Sequence, residues 1–258
     1  MESSAEYDAF APYYDAFTAD SDYEAWTVHV LELLGEHGLR GHALLDLACG
    51  SGKSFACFLE RGFDVTGCDS SRGMLEARRA PGATLVRADL RELPRLDSFD
   101  VVTCFDDSLN YLLDEDELGA AFAGIARNLR PGGLTVFDLN SLAAYRTTFA
   151  SDRVTERAGV VFAWRGLGTP NAGPGCATEA QIDVFVPNAV GAYERVVTRH
   201  RQRHFERDSV LGLLDEAGLE CQAVHGVLPD ASLAEPADET RHLKVLYTAR
   251  RAEGGDSE

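Results

Sequence analysis

The sequence contains little positive charge, and nearly all of it is arginine. Its 258 residues carry 24 Lys+Arg against 42 Asp+Glu, which gives a formal net charge of −18 at pH 7. Lys53 and Lys244 are the only lysines, and we attribute this to a compositional bias rather than to function. Nucleic-acid backbones and anionic membrane surfaces attract clustered positive charge. The charge balance therefore argues against either of them as the main partner.

The sequence also lacks a long apolar run and a cysteine pair suited to a metal. No run approaches the roughly 20 residues that a membrane-spanning helix needs, and the acidic start has no signal-peptide pattern. The cysteines form no C-x-x-C pair, and most lie in apolar runs, where a free thiol behaves as a small hydrophobe. His200 and His204 have zinc-finger-like spacing without a preceding cysteine pair. These absences predict a cytoplasmic protein without a metal site.

Hydrophobic periodicity predicts the fold class. Apolar residues make up 45% of the chain, and over about the first 140 residues apolar runs alternate with amphipathic stretches, as in βαβ units. We therefore expect an α/β fold with a Rossmann-like, mostly parallel seven-stranded sheet, helices on both faces and a small antiparallel insertion. The expected parts are an N-terminal helical segment (1–40), a core (41–150), the antiparallel insertion (151–204), a C-terminal part of the core (205–250) and a frayed tail (251–258).

The insertion is predicted from three consecutive extended stretches with no helix between them. They are Val160–Arg165, Ala180–Val186 and Tyr193–Arg203, and the Gly- and Pro-rich segment 166–175 between the first two is typical of a loop. Consecutive strands without an intervening helix favour antiparallel pairing. We expect this small sheet to lie on the main one.

The most informative segment is Leu44–Ser54, where a strand containing an acidic residue leads through small residues into a helix. Such a turn lets the backbone approach a ligand closely. A phosphate-binding P-loop would need glycine where Leu47 stands, so that alternative fails. A nicotinamide dinucleotide site needs G-x-G-x-x-G, which Ala48–Lys53 matches incompletely. Because Asp69 at the end of the second predicted strand could still hold a ribose, this weaker alternative stays open.

The same segment resembles the nucleotide loop of the class I S-adenosylmethionine-dependent methyltransferases, whose pattern is roughly acidic-x-G-x-G-x-G. Ala48 stands in place of the first glycine. Asp69 matches the family's acid that accepts both ribose hydroxyls, and Asp89, at the end of the third predicted strand, matches the carboxylate that takes the adenine amino group. Arg130–Gly133 resembles the family's L-x-P-G-G turn. Together these landmarks imply a methyltransferase core over about residues 40–140.

The resemblance extends outward to segments that border the cofactor and the acceptor. Tyr7–Asp15 is similar to the Y-D-x-x-A-x-x-Y-D pattern of small-molecule methyltransferases, in which this segment folds over the bound cofactor. Trp26 is implied to pack near the methionine portion. Phe105–Leu112 resembles the loop after the fourth strand in glycine/sarcosine and amino-sugar N-methyltransferases. The insertion occupies the place of that family's acceptor lid.

The resemblance implies S-adenosyl-L-methionine as the cofactor and S-adenosyl-L-homocysteine as its product. Ser70 is expected near the start of the next helix and Met74 to offer adenine an apolar face. Cys49 lies in the cofactor loop, where we expect a small apolar filler rather than a nucleophile. The implied cofactor-binding residues are Trp26, Asp46, Ala48, Cys49, Gly50, Gly52, Asp69, Ser70, Met74, Asp89, Leu90 and Phe105.

The implied reaction is methyl transfer to a small molecule, with an amine nitrogen as the first choice of acceptor. Because the sulfonium methyl is already activated, in-line positioning is the main catalytic device. The candidate catalytic residues are Tyr14, Asp107, Asn110 and His200. Strand alternation places His200, Gln202 and His204 on one face. If that face looks into the pocket, His200 could take a proton and Gln202 could orient the acceptor. The alternatives are a solvated strand end for His200, a helix cap at Asp106 and a core position for Tyr14.

Other functions remain open at this point. They are O- or C-methylation of a natural product or metabolite, a non-methylating protein that binds S-adenosylmethionine, and a nicotinamide oxidoreductase. We expect a small-molecule acceptor as partner, no nucleic acid or membrane, and a monomer or homodimer. The net negative charge favours a cationic or neutral acceptor over a phosphorylated one.

Overall fold

The computed structural model describes residues 2–78 and 80–253, with the backbone alone at residues 2 and 3. Several helices begin at capping side chains: Ser71 accepts a hydrogen bond from the Met74 N–H, and Asp114 accepts one from the Glu117 N–H. The helices are α1 (Glu2–Phe17), α2 (Tyr23–Glu36), α3 (Lys53–Glu60), α4 (Arg72–Glu76), α5 (Glu115–Asn128), α6 (Leu142–Arg146) and α7 (Arg207–Glu216), with 3₁₀ turns at Leu90–Glu92, Ser108–Tyr111 and Thr148–Ala150.

The main sheet is mostly parallel, as predicted. With strands numbered in chain order, it contains β1 (Ala43–Leu47), β2 (Asp64–Asp69), β3 (Thr84–Arg87), β4 (Phe99–Cys104), β5 (Leu129–Asn140), β10 (Leu219–Val227), β11 (Leu233–Ala234) and β12 (Lys244–Arg251). Their order is β11-β10-β12-β5-β4-β1-β2-β3. The first five strands run parallel, and β12 and β10 are antiparallel to their neighbours. The two-residue β11 adds an eighth strand at one edge.

The order of the strands positions the site. β1 lies between β2 and β4. The chain adds β2 and β3 on one side of β1 and then β4 and β5 on the other side, so the strand order reverses at β1. Open α/β sheets bind ligands beside the carboxyl ends of strands at such a point. One apolar core packs α5 and α7 against the sheet, and a second packs α2 and α3 against it. The loops after β1, β2, β3 and β4 therefore extend from a rigid, covered support.

The Arg130–Gly133 segment forms the start of β5 rather than a free turn, which corrects the prediction. Gly132 has φ +75°, a left-handed conformation that favours glycine. The register between β4 and β5 shifts between Phe99 and Val101. The Pro-Gly-Gly run is thus an irregular strand entry, because β5 pairs with β4 before its register becomes regular.

The second sheet is antiparallel and has four strands, in the order β6 (Asp152–Arg157), β7 (Val160–Gly166), β8 (Ala177–Pro187) and β9 (Tyr193–Arg203). The last three confirm the predicted stretches. β6 was missed because its residues are mostly polar and exposed and give no apolar alternation. Phe10 of α1 packs with Phe162 and Ile182 of this sheet, and α1 also contacts α4. The N-terminal helix thus joins the second sheet to the core.

At the C-terminal end, Arg251 belongs to β12 rather than to the predicted tail, and residues 254–258 lie outside the described residues. Within the described part of the chain, no helix combines the length and apolar character that crossing a bilayer would require.

Candidate active site

The loop between β1 and α3 is a tight left-handed turn. Three residues of this loop have positive φ: Ala48 at 51°, Gly50 at 54° and Gly52 at 92°. Glycine adopts this conformation without strain, whereas alanine adopts it at a small cost in conformational energy. A Cβ on Gly52 would lie 2.6 Å from the Phe55 ring, so a larger residue there would displace a core side chain. The loop therefore exposes main-chain atoms to the space beyond the carboxyl end of β1.

Asp69, the last residue of β2, is tied to this loop. Its Oδ2 accepts a hydrogen bond from the Gly50 N–H at 2.8 Å, and its Oδ1 accepts one from the Ser71 N–H at 2.7 Å. Burial raises the pKa of this carboxyl, and the hydrogen bonds from Ser71 and Gly50 act against that rise. Each oxygen keeps acceptor capacity beyond its backbone partner. The carboxylate is thus oriented in advance and still able to accept hydrogen bonds.

Asp89 is held by an arginine that the sequence analysis did not identify. Arg91 Nη1 lies 3.1 Å from both carboxylate oxygens, and the Arg91 N–H donates to Oδ1 at 3.0 Å. Arg91 Nε in turn donates to Glu117 at 2.6 Å. The sequence feature that could have indicated this partner is the position of Arg91 two residues after Asp89. The orientation of the Arg91 side chain, however, depends on Glu117, which α5 supplies.

A first cleft of about 720 Å³, part of it open solvent, brings the two aspartates together. Seven of the predicted cofactor residues line it, and so do several residues that were not predicted to bind cofactor, chiefly Tyr7, Tyr14, Arg91, Asp106, Ser108, Tyr111 and Leu112. The predicted residues at this cleft are Ala48, Gly50, Asp69, Ser70, Met74, Asp89 and Leu90.

The other predicted cofactor residues, Gly52 among them, do not line the first cleft, and Trp26 lines a different cleft together with Asp106 and Lys244. Asp46 is buried and accepts hydrogen bonds from Ser54 and Thr103, both at 2.6 Å. Burial raises its pKa to about 7, although both hydroxyls act to lower it. Trp26 packs edge-on against Phe105, with ring centroids 5.5 Å apart. These side chains support the loops from inside.

Cys49 does not line the first cleft either, and it has the filler role that was expected of it. It is buried in the second apolar core, and a Cβ on Gly67 would lie 2.9 Å from its Sγ. Burial raises the pKa of the thiol well above its ordinary value. A protonated thiol packed in this way is a poor nucleophile.

A second, larger cleft adjoins the first. It has about 1570 Å³ of free volume including open solvent, and Tyr7, Tyr14, Asp106 and Tyr111 line both clefts. Its walls combine α1, the second sheet and the ends of β5 and β12. The aromatic and polar residues of the wall include Phe10, Phe17, Phe149, Trp164, His200 and Gln202.

A lysine and three carboxylates form a charged cluster at the second cleft, which Lys244, Asp106 and Asp107 line while Asp138 is buried behind them. Lys244 Nζ lies 2.8 Å from Asp107 Oδ1, 2.8 Å from Asp138 Oδ2 and 3.8 Å from Asp106 Oδ1. Burial alone would lower the pKa of Lys244, but Asp107, Asp138 and Asp106 raise it above the ordinary value. Burial raises the pKa of Asp138 to about 6, against the pull of Lys244. The cluster keeps a negative charge because its carboxylates outnumber the ammonium.

The turn that carries Asp106 and Asp107 is itself strained. Both have left-handed φ, at 58° and 52°, which is uncommon for non-glycine residues and tolerated best by Asp and Asn. The Asp107 N–H donates to Asp138 Oδ2 at 2.9 Å, and Gln202 Nε2 donates to Asp107 Oδ2 at 2.6 Å. Contacts from β5, β9 and β12 therefore stabilise this turn. Lys244 was not predicted as a site residue. The sequence feature that could have indicated it is the rarity of lysine in this arginine-rich chain.

His200 ends a chain of hydrogen-bonded rings. The Tyr7 hydroxyl donates to the Tyr111 hydroxyl at 2.8 Å, which lies 3.0 Å from His200 Nδ1, while His200 Nε2 lies 3.0 Å from Thr198 Oγ1. Burial lowers the pKa of His200 to about 4, so the imidazole is neutral near pH 7. The predicted alternation on β9 is confirmed, because His200, Gln202 and His204 are buried.

The predicted catalytic residues separate into two groups. Tyr14 lines both clefts, and Asp107 and His200 line the second. Asn110 lines neither: it is fully buried, its Nδ2 donates to the Arg203 carbonyl, and its Oδ1 accepts from the Asn140 N–H, both at 2.8 Å. Asn110 therefore ties the loop after β4 to β9 and β5. Among the described residues, no group of histidine, cysteine or carboxylate side chains is arranged to hold a metal ion.

Comparisons with known proteins agree with this arrangement. Residues 44–133 match the family described as a methyltransferase domain. A putative methyltransferase from Geobacillus sp. (strain WCH70) is 30% identical over 255 residues, covering 95% of this chain and 99% of that protein. The dTDP-3-amino-3,4,6-trideoxy-alpha-D-glucopyranose N,N-dimethyltransferase of Streptomyces venezuelae is 34% identical over 132 residues, covering 50% of this chain and 56% of that protein.

Among solved structures, an S-adenosylmethionine-dependent methyltransferase from Clostridium acetobutylicum ATCC 824 has the same fold, with a TM-score of 0.77 and 23% identity over 93% of this chain and 96% of that one. The relative from Geobacillus extends this likeness along nearly the whole sequence. This chain therefore belongs to the S-adenosylmethionine-dependent methyltransferases.

Proposed function

We propose that this chain transfers the methyl group of S-adenosylmethionine to an amine nitrogen of a small-molecule acceptor. The observation that carries the proposal is that the two clefts adjoin at Asp106, whose side chain lines both. During transfer to an amine, positive charge moves from the sulfur to the nitrogen. A carboxylate beside the attacking nitrogen stabilises that charge as it develops. A hydroxyl acceptor would gain less from it.

The residues of the first cleft fit the cofactor. The remaining acceptor capacity of Asp69 suits the two ribose hydroxyls, Met74 and Leu90 offer apolar contact for the base, and Asp89 can accept from the adenine amino group. The bare backbone at Gly50 allows close approach, since a Cβ there would meet no atom nearer than 3.9 Å. The cofactor supplies a methyl group activated by the sulfonium, and the protein positions it.

Asp106, rather than Asp107, is the carboxylate that we assign to the acceptor amine. Both oxygens of Asp107 have close partners in Lys244 and Gln202. Asp106 accepts a hydrogen bond from Tyr23 at 2.7 Å, and its side chain is 43% exposed. We therefore give Asp107 a positioning role: it holds the left-handed turn that directs Asp106 towards both clefts.

We assign His200 a positioning role as well. An imidazole whose pKa is about 4 is a weak base at neutral pH. Its contact with Tyr111 orients a hydroxyl that also bonds Tyr7, and both tyrosines border the two clefts. Being neutral, His200 does not repel the positive charge that develops on the amine nitrogen as the methyl group is transferred. We assign Tyr14, which lines both clefts, a contact with the acceptor or the methyl donor.

The second sheet and α1 supply the cover that we propose for the acceptor. Trp164 comes from the second sheet, Phe149 from the 3₁₀ turn just before that sheet, and Phe10 and Phe17 from α1. Aromatic walls exclude water and so strengthen the interaction between Asp106 and a cationic nitrogen. The Streptomyces venezuelae relative is named for methylation of an amino sugar, which supports an amine acceptor here.

Methyl-labelled S-adenosylmethionine and a panel of paired amines and alcohols test this proposal. Glycine, sarcosine and amino sugars are each compared with their hydroxyl counterparts, and S-adenosylhomocysteine formation is measured. We expect turnover with amines only, and an Asp106→Asn variant about a hundredfold slower with unchanged affinity for S-adenosylhomocysteine. Turnover with alcohols alone would favour O-methylation. Cofactor binding without product from any compound would favour the non-methylating alternative.

A further inference from the structure

The second cleft carries charges of opposite sign in different places. Asp106 lines both clefts, whereas Arg153 and Arg241 line the second cleft and not the first. The acidic group is thus beside the proposed methyl donor, and the two arginines lie away from it. Arg153 is contributed by β6 and Arg241 by the segment before β12, so two separate parts of the chain bring positive charge to one space.

Arg153 contacts an aromatic ring and, within the described part of the chain, no carboxylate. Several other arginines of this acidic protein pair with carboxylates, as Arg61 does with Glu24, Arg195 with Asp183 and Arg207 with Glu239. Among the described residues, no carboxylate lies within ion-pair distance of Arg153 or Arg241. Arg153 instead lies over the Trp164 ring, 4.8 Å from its centroid. A planar guanidinium stacked in this way keeps its N–H groups available at the edges.

The support beneath Arg153 is itself ordered. Trp164 Nε1 donates to the Thr148 carbonyl at 3.0 Å, and Phe149 packs edge-on against the indole at 5.3 Å. Arg153 and Trp164 are directly paired across β6 and β7. Thr148, Phe149 and Trp164 all line the second cleft. Arg153 is exposed, but its guanidinium lies against an ordered aromatic ring at the cleft wall.

We propose that Arg153 and Arg241 form a subsite for an oxyanion, a carboxylate or a phosphate, at the end of the acceptor remote from its amine. This deepens the proposed function and rests on it, because it makes the acceptor a molecule with an amine at one end and an anion at the other. Guanidinium groups recognise both oxyanions through paired N–H donors. The subsite departs from the expectation drawn from net charge alone, since Arg153 and Arg241 bring positive charge to part of the cleft.

The subsite is tested by anion binding, which requires no methyl transfer. Malonate and pyrophosphate are titrated at constant ionic strength into the protein saturated with S-adenosylhomocysteine, and tryptophan fluorescence and calorimetric heat are recorded. We expect a saturable change with at least one anion, and the fluorescence part of it lost in Trp164→Phe. Binding of malonate alone assigns a carboxylate, and binding of pyrophosphate alone assigns a phosphate. Absence of saturable binding by either anion overturns the proposal.

Variants locate the anion. Arg153→Met and Arg241→Met should each weaken binding about tenfold, the cost of losing one charge-assisted hydrogen-bonding group. Arg201→Met is the matched control, since Arg201 is exposed on β9 of the same sheet and lines neither cleft. If Arg153→Met unfolds, Arg153→Lys keeps the charge without the planar fork and should bind more weakly than the wild type. Wild-type affinity in the folded Arg153 variant overturns the assignment. Failure of amines to yield S-adenosylhomocysteine would instead contradict the proposed function.

Discussion

The ammonium nitrogen of Lys244 lies 2.8 Å from a carboxylate oxygen of Asp138, joining the first residue of β12 to the end of β5. Asp138 is fully buried, and its other oxygen, Oδ1, has no hydrogen-bond partner among the described residues. A buried carboxylate that loses its counter-ion costs far more than the pair itself contributes. Asp138 and Asp107 therefore depend on one ammonium group for charge compensation.

Lys244→Met should destabilise the fold by about 2 to 3 kcal/mol at pH 7, because it leaves Asp138 and Asp107 close together without a counter-ion. Urea unfolding measures the free energy. The double variant Lys244→Met/Asp138→Asn removes both charges and should recover most of the lost stability. Lys244→Arg keeps the positive charge and should retain most of the wild-type stability. Equal stability of the single and double variants would show that Asp138 does not need the lysine.

Asp69→Asn should weaken S-adenosylhomocysteine binding about a hundredfold. The amide offers one acceptor oxygen where the carboxylate offers two, and charge-assisted hydrogen bonds are worth about 1.5 to 3 kcal/mol each. Isothermal titration calorimetry gives the dissociation constants. Asp64→Asn, an exposed change at the other end of β2, is the control and should bind as the wild type does. Unchanged affinity in the Asp69 variant would place the ribose elsewhere.

Asp89→Asn should reduce the preference for adenine over hypoxanthine. In the wild type, the carboxylate accepts from the adenine amino group and repels the carbonyl oxygen that replaces it in S-inosylhomocysteine, so we expect a preference of about tenfold or more. Competition binding of the two thioethers measures it. Asp97→Asn, an exposed change on the same connection, should keep the preference. A wild-type preference in the Asp89 variant would remove this residue from base recognition.

Asp46 should make stability depend on pH in a defined direction. Burial raises its pKa from 3.8 to about 7, so the native state favours the protonated form. Its contribution is fully present below pH 4 and is lost as the pH rises through about 7, by up to about 4 kcal/mol in total. Asp46→Asn should lack this decline, since an amide does not titrate. One of the Ser54 and Thr103 hydroxyls can donate to the amide oxygen and the other can accept from the amide NH2.

The comparison for Asp46 is made between unfolding free energies of the two proteins at matched pH. His200, whose pKa is lowered to about 4, acts in the opposite direction, because its stabilising effect is lost as the pH falls from about 6.5 towards 4. That effect is common to both proteins and cancels in the difference. Parallel pH profiles for the wild type and Asp46→Asn would contradict the buried, protonated Asp46.

Local sequence patterns were sufficient to predict the structure where it is determined by residues that are neighbours in the chain. The turn at Ala48–Gly52 and the burial of alternate residues on β9 follow from backbone conformation and period within one element. β6 shows the limit, since its polar sequence becomes a strand only by pairing with β7. Asn110 shows another, because its neighbours along the chain do not indicate that it bonds to Arg203 and Asn140.

The sequence by itself determined the parallel core, the glycine turn and the two acids that end β2 and follow β3, because each depends on residues close together in the chain. Only the tertiary structure decided that Lys244 joins Asp107 and Asp138, that His200 bonds Tyr111, and that Arg153 faces the second cleft. These contacts join distant segments, so their geometry arises from how the two sheets and α1 pack together.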